Sequence, residues 1–326
     1  MKTLDLEIEP KVGGEWFKYL PESLSLKTER MGTPATLTGT IPDAGDNIPE
    51  MGATVRLTVD GVVMFYGRVF ACTVDRWGVV SFTAYDLLRY LKGNFSWYER
   101  GLTVEKLINV VASTYDIPLG DIASTGYTAR CRTIQDECAL DAIQAMIDLA
   151  TVKSKTIWVL FDDCGKLCLR SAQDMTSDVL IGDSSLATDY SLAIDIDTDT
   201  YNHVIIHRPL TGASVQGNKI AKDTSTEAKW GRLIYYEEAD EKMNAAQMQE
   251  KADNLLKMKN RPTRALSIDC FGVAGIRAGM MVTINFNNLP EVSKKQVVVL
   301  DSVEHTFEDS LHMMHLETRT LWESSP

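Results

Sequence analysis

At 326 residues the chain exceeds what one small core needs, which predicts about two domains and leaves room for three small ones. Hydrophobic residues at 44%, charged residues at 24% and only 10 prolines describe a folded chain and exclude a disordered or collagen-like one. The 45 acidic residues outnumber the 33 basic ones for a net charge of -12, so the overall field repels polyanions and disfavours a phosphate-tracking groove as the main function.

No apolar run approaches the roughly 18 residues that span a bilayer. The N-terminus MKTLDLEIEP places acids where a signal peptide needs an apolar core. The expectation is a chain neither exported by that route nor inserted in a membrane, with its acidic surface serving solubility by default.

From Leu4 to about Arg89 the segments LDLEI, SLSLKTE, ATLTGTI, ATVRLTV, VVMFYGRVFACTV and VVSFTAYDLL alternate with period two. Turn residues separate them at Gly13-Gly14, Asp43 to Asp46, Asp60-Gly61 and Asp75 to Gly78. No connection is long enough for a helix, so the pattern predicts an antiparallel small barrel or sandwich. Near Phe95 the period changes. Thr103 is placed to cap a helix whose face is Val104, Leu107, Ile108, Val111 and Ala112, ending before Pro118. A second helix is expected from Asp136 to about Ala150, burying Leu140, Ala142, Ile143, Ala145, Met146, Ile147 and Leu149. It leads into a hairpin, KTIWVLFDDCGKLCLRS, that turns at Asp163 to Lys166.

Farther on, the acidic stretch Asp195 to Asp199 precedes the strand NHVIIHRP and a polar loop from Thr211 to Lys229. A long helix is expected over 240–259, with Ala245, Met248, Ala252, Leu255 and Leu256 inward and Pro262 as its stop. Strand character then returns in RALSIDCFGV, GMMVTINF, QVVVLDSVEHTF and LHMMHLETRTLW, the last two joined at Glu308-Asp309-Ser310. The fold class expected is mainly β with α+β: a small antiparallel β-barrel over residues 1–92, an α+β domain over 93–184, and a second β-barrel over 185–326 that carries the 240–259 helix as an insertion.

The two β segments align. MGATVRLTV, with Gly52, Val55, Leu57 and Val59, lies on AGMMVTINF, with Gly279, Val282, Ile284 and Phe286, and each is followed by a long hairpin. A duplication predicts two related barrels. Three such chains around one axis would present six similar units, and a three-fold object would then mate with a six-fold one.

Chemistry is harder to find. The six cysteines (Cys72, Cys131, Cys138, Cys164, Cys168 and Cys270) are scattered, as expected of cytosolic thiols. Cys164 and Cys168 have knuckle spacing for a metal, but no second pair or histidine follows at ligand spacing. Among the histidines, His312 and His315 face opposite sides of a strand, and His203 and His207 are about 13 Å apart along one. His203 reads as a strand-end residue bonded to backbone rather than a base, and His305 completes the set. Gly-x-Ser-x-Gly and Ser-x-x-Lys motifs are absent, and GVAGIRAG from Gly272 to Gly279 lacks the Lys-Ser/Thr and helix of a phosphate cradle. It reads as the turn before a barrel strand. Asp162-Asp163, Glu237-Glu238 and Asp195/Asp197/Asp199 are candidate acid pairs by count alone. The Asp195 run also lacks the glycine and closing glutamate of a calcium loop. No catalytic, cofactor or metal residue is therefore assigned.

The run Val62 to Asn94 does resemble a family. Phe65-x-Gly67 on a strand, a hairpin, then Ala84-Tyr85-Asp86 with Tyr90-Leu91-Lys92 close behind resembles the XkdQ/YqbQ-type phage tail proteins, and GVAGIRAGMMVTINF resembles the region entering their last barrel. With the β, α+β, β order, the resemblance covers nearly the whole chain. It implies a structural baseplate hub protein of a contractile tail, as found in phages, PBSX-like defective prophages and R-type bacteriocins, with no enzyme activity and no cofactor. The partners implied are two further copies of the chain as a homotrimer, a hexameric tail tube protein, a trimeric spike protein and other baseplate proteins. Sequence-specific nucleic acid and membrane insertion are not expected. Assembly would take place in the bacterial cytoplasm before incorporation in the baseplate. After Trp322 only Glu-Ser-Ser-Pro follows, so no lytic domain is expected there.

Two other readings compete with the hub. One is a peptidoglycan-active hydrolase of the tail tip using Asp162 and Asp163, although adjacent strand residues point to opposite faces. The other is a carbohydrate-binding surface built on Trp97, Tyr98, Tyr235 and Tyr236.

Overall fold

Alternating burial organises the N-terminal segment into β1 (Leu4–Glu9), β2 (Phe17–Tyr19), β3 (Ser23–Glu29), β4 (Thr36–Ile41), β5 (Thr54–Val59), β6 (Val62–Val74) and β7 (Val80–Tyr85). These belong to a computed structural model that describes residues 3–11, 13–42, 44–207, 217–239, 244–287, 289, 295–308 and 311–318. The strands pair antiparallel in the order β3-β4-β7-β6-β5-β1-β2. Leu24 and Leu26 of β3 share one core with Leu6 and Ile8 of β1, five strands away along this path, so the sheet curls over its own apolar face. Two-residue loops reverse the chain cheaply. Asp60 and Gly61, both at positive φ, join β5 to β6. Of the predicted turn residues, Asp43 lies outside the described residues.

The middle segment opens with a 3₁₀ turn (Leu87–Lys92). It continues through β8 (Asn94–Thr103), α1 (Val104–Thr114), β9 (Leu119–Ile122), β10 (Thr128–Cys138), α2 (Ala139–Ser154), β11 (Trp158–Asp162) and β12 (Leu167–Ser171). Helix α1 is as expected: the Thr103 hydroxyl accepts from the Lys106 N–H at 3.2 Å, and the five predicted apolar residues are all buried. Helix α2 starts at Ala139, not Asp136. Asp136 has φ +53° in the irregularity of the β8·β10 ladder and holds Asn94 Nδ2 at 2.9 Å. The buried face is Leu140, Ala142, Ile143, Met146 and Ile147 with Ala139 and Ala150. Leu149 is exposed and Ala145 only half-buried, because a 3.6-residue period cannot turn every apolar residue inward. The β11–β12 hairpin turns where predicted, with Cys164 and Gly165 both at positive φ. Both helices, the 3₁₀ turn, β8 to β12 and their connections share a single apolar cluster.

Next come β13 (Thr176–Gly182) and β14 (Ala187–Asp195), and then β15 (His203–His207), β16 (Lys219–Lys222), α3 (Thr224–Trp230), β17 (Ile234–Glu238) and α4 (Ala245–Lys259). Residues Leu192–Ala265 form a compact unit of their own, and Met1–Ser191 with Leu266–Pro326 form the other. In the smaller unit β15 is central, antiparallel to β16 and parallel to β17. Helix α4 covers one side of that sheet, with Met248 and Ala252 against Val204, Ile206 and Ala221. Asn244 and Gln247 cap its start reciprocally. The helix was expected from Asp240, which lies outside the described residues, and Ala245 is exposed at its first turn. The loop expected from Thr211 to Lys229 contains β16 and α3; residues 208–216 lie outside the described residues. Asp223 makes the difference, its carboxylate accepting from Ser225 N–H to start α3.

The chain closes with β18 (Thr263–Phe271), β19 (Met281–Asn285), β20 (Lys295–Glu308) and β21 (Leu311–Thr318). The turn residues Asp309 and Ser310 lie outside the described residues. These strands continue the N-terminal sheet: its path runs β14-β18-β21-β20-β3 and onward to β2. The protein is mainly β with antiparallel sheets, and no ladder among the described residues joins the two ends of that path into a closed barrel.

Candidate assembly surface

The residues that carry the family resemblance are packing and capping residues. A Cβ on Gly67 would lie 2.3 Å from the Tyr85 carbonyl oxygen and 2.6 Å from the Phe65 ring, so the strand passes under that ring only without a side chain. Tyr85 and Tyr90 both pack on Phe70, with ring centroids 5.4 and 5.7 Å away. Asp86 ends β7 and starts the 3₁₀ turn by accepting from the Leu88 N–H at 3.1 Å.

Asp86 also sits at a buried junction of three segments. Asp162, at the end of β11, accepts from Leu87 N–H at 3.1 Å and Gly165 N–H at 2.5 Å. Arg277, from the turn before β19, donates to the Asp162 carbonyl at 2.8 Å and lies over the Phe161 ring at 4.5 Å. Burial, with the neighbouring Asp162 adding to it, pushes the Asp86 carboxyl up to about 8 against the opposing pull of backbone N–H groups and Arg277. Burial likewise raises Asp162. The GVAGIRAG segment is thus a structural turn whose arginine bridges the middle segment to the last β segment. Asp162 faces this junction, whereas Asp163 is exposed and approaches Arg170 at 3.8 Å. Both residues line one small cavity with Asp86, Cys164 and Arg277, where Asp162 is held by backbone N–H groups and Asp163 reaches outward to Arg170.

The same strand arrangement occurs twice. Gly52 N–H donates to Val69 O at 2.9 Å and Val69 N–H returns to Ala53 O at 2.9 Å. Gly279 N–H donates to Leu300 O at 2.7 Å and Leu300 N–H returns to Met280 O at 3.0 Å. Both glycines need the left-handed region, at φ +86° and +88°. One residue past Val69 the β6·β7 ladder shifts register, from Val69↔Ala84 to Ala71↔Thr83. One residue past Leu300 the β20·β21 ladder does the same, from Leu300↔Thr318 to Ser302↔Glu317. Outside these lie β4, with Leu37 opposite Ala84, and β18, with Leu266 opposite Thr318. Four strands, β4-β7-β6-β5, are therefore matched in order, direction and bulge by β18-β21-β20-β19.

The two motifs meet along β3 and β20, which pair from Ser302↔Glu29 to Glu308↔Ser23. Ser25 Oγ donates to Glu304 at 2.8 Å, Arg30 pairs with Asp301 at 2.5 Å, and the buried Thr28 hydroxyl accepts from Ala278 N–H at 3.0 Å. The outer face beside this seam is a shallow groove of about 350 Å³ bordered by small hydroxyl side chains, among them Ser25, Thr38, Thr40, Thr73, Ser81 and Thr83.

The remaining candidates are dispersed. Cys164 is exposed in the hairpin turn, whereas Cys168 is buried in β12, its Sγ 2.4 Å from where a Cβ on Gly120 would stand. Among the described residues no group of three or more His, Cys, Asp or Glu is placed to hold a metal ion. His203 Nδ1 meets Glu227 at 2.6 Å, a side-chain partner rather than the backbone expected, while His207 Nδ1 meets the Glu237 carbonyl at 3.0 Å. Asp195 accepts from Asp197 and Thr198 N–H groups, Asp199 pairs with Lys259, and Glu237 pairs with Lys251 at 2.6 Å. Trp97 stacks on Phe95 and Tyr235 packs on Tyr201, leaving Tyr98 and Tyr236 the more exposed of the four aromatics. Sequence reasoning missed His305 and His312, whose Nδ1 and Nε2 are 2.9 Å apart in the core. His305 Nε2 donates to the Ile276 carbonyl at 2.8 Å, and its Nδ1 shares a hydrogen bond with His312 Nε2. The β20–β21 register puts His312 opposite Phe307, two residues from His305 and hence on the same face of the strand, a signal readable once the turn is placed.

This fold is shared with tail proteins. The crystal structure of the 43 kDa tail protein of prophage MuSo2 from Shewanella oneidensis superposes with a TM-score of 0.74 at 9% identity, over 99% of this chain and 100% of that one. The tail protein from Neisseria meningitidis MC58 superposes with a TM-score of 0.72 at 14% identity, over 98% of each. In sequence, the phage-like element PBSX protein XkdQ of Bacillus subtilis (strain 168) is 30% identical over 311 residues, 93% of each chain. The YQBQ-like family model matches residues 24–319, and the chain belongs to that family.

Proposed function

We propose that this chain is a structural baseplate hub protein of a contractile tail or phage-tail-like particle, acting through its interfaces and performing no bond chemistry. Three copies form a ring in which residues 1–92 and 185–326 act as two related barrel-like modules flanking the α+β segment 93–184. Six modules around one axis give the ring pseudo-six-fold symmetry, so it can join a hexameric tail tube to a trimeric spike and bind other baseplate proteins. The protein assembles in the bacterial cytoplasm and resides in the baseplate thereafter. One observation carries the reading: the four-strand motif with its glycine clamp and bulge is present twice and joined head-to-tail by β3 and β20. Membership of the YQBQ-like family and the fold shared with phage tail proteins support it. The acidic net charge suits a channel along which a polyanion slides without adhering.

Sedimentation of the full chain at high concentration, alone and with tube and spike proteins, is expected to yield a trimer, and images of it a central hole. A particle that stays monomeric under all these conditions refutes the hub. Release of soluble fragments from purified cell wall, abolished by Asp162→Asn, would instead establish the hydrolase.

A further inference from the structure

The seam between β3 and β20 has a counterpart that a single chain leaves open. Past its bulge, β20 has β21 on one edge and β3 on the other. Past the equivalent bulge, Ala71–Val74 of β6 has β7 on one edge and, among the described residues, no strand on the other. The second vacancy is at the opposite end of the sheet. β4 carries β3, whose outer edge takes β20; β18 carries β14, whose outer edge takes no strand among the described residues. Each open edge matches the partner that the other copy of the motif already has.

We propose that β14 of one copy adds antiparallel to Ala71–Val74 of β6 in the next copy, repeating between chains the ladder that β3 and β20 form within one. The proposal rests on the hub reading and specifies its interface. The register follows from the repeat. Phe271 N–H bonds Leu186 O and Thr188 Oγ1 bonds Asp269 O, which sets Ser191 of β14 opposite Leu266 as Leu26 of β3 is opposite Leu37. Leu26 faces His305, whose equivalent on β6 is Val74, so Ser191 meets Val74 and Leu192 meets Thr73. Beyond Val74 the strand gives way to the β6–β7 turn, where exposed Arg76 lies at the end toward which the added strand carries Asp189, an exposed residue of opposite charge. It also sets Ile194, 47% exposed, beside Ala71. The contact uses different edges on its two sides, so it repeats head-to-tail and closes as a ring if the rotation allows. Open edges of this kind are aggregation sites unless a partner covers them.

The test is made in the full chain. Thr73→Cys with Leu192→Cys is expected to give disulfide-linked dimers and trimers joined between copies, about tenfold more than either single variant, as directly opposed cross-strand positions should. Arg76→Glu is expected to shift the assembly toward monomer and Asp189→Lys to restore it. A trimer by sedimentation with neither the 73–192 link nor the charge rescue overturns the strand pairing while leaving the hub intact. A protein that is monomeric at every concentration, with and without tube and spike, overturns both.

Discussion

Position 67 admits only a hydrogen atom, since a methyl group there would press on the Tyr85 carbonyl and the Phe65 ring together. Gly67→Ala is expected to destabilise the protein by about 1–3 kcal/mol, the usual cost of overpacking, read as a lowered denaturant midpoint. Asp86 makes a second prediction at this scale. Its carboxyl is raised to about 8 in the folded chain against about 4 unfolded. The folded state therefore holds a proton that the unfolded state releases, and this contribution to stability is full below about pH 4 and lost as pH rises through about 8. Asp162 is raised by burial in the same direction. Asp86→Asn keeps an acceptor for the Leu88 N–H and removes the titration, so the loss of stability from pH 6 to pH 9 should be smaller in the variant. Urea midpoints at the two pH values check it; equal slopes in both proteins would contradict the assignment.

Among elements, the β3·β20 ladder joins segments about 275 residues apart in sequence, and its buried polar contact is the Thr28 hydroxyl with the Ala278 N–H. Thr28→Val preserves shape and leaves that N–H unpaired, an expected cost of about 1–3 kcal/mol. Hydrogen exchange should then quicken along Ser23–Glu29 before it does in α1. The individual strands of this ladder are legible in the sequence, because alternation and turn residues are local. Their pairing is not: SLSLKTE and QVVVLDSVEHTF carry no mark naming each other, and a hairpin partner is the natural guess for each. The same limit applies to α2, where the apolar residues predict a helix but only the Asp136 irregularity in β10 decides where it begins.

For the whole molecule, residues Leu192–Ala265 have their own core around Met248 and Ala252 of α4. Met248→Ala should remove about 2–4 kcal/mol from that unit. Exchange in β15 and α4 should accelerate while the β3·β20 ladder stays protected, and unfolding should depart from two-state behaviour. Uniform acceleration across both units would show that they unfold together.

By itself the sequence determined the local elements of this protein: the turn at Cys164-Gly165, the Thr103 cap, the face of α1, and the alignment of Gly52 with Gly279, whose left-handed backbone and matching clamps the structure contains. These rest on near-neighbour sterics and periodicity, which a linear string records. Tertiary structure alone decided that the first and last β segments share one sheet through β3 and β20, that Asp86, Asp162 and Arg277 meet under burial, and that His305 and His312 bond. Long-range pairing is selected by the packing of whole faces against one another. A residue's pattern shows that it has a buried face, and only the folded chain shows what lies on the other side of it.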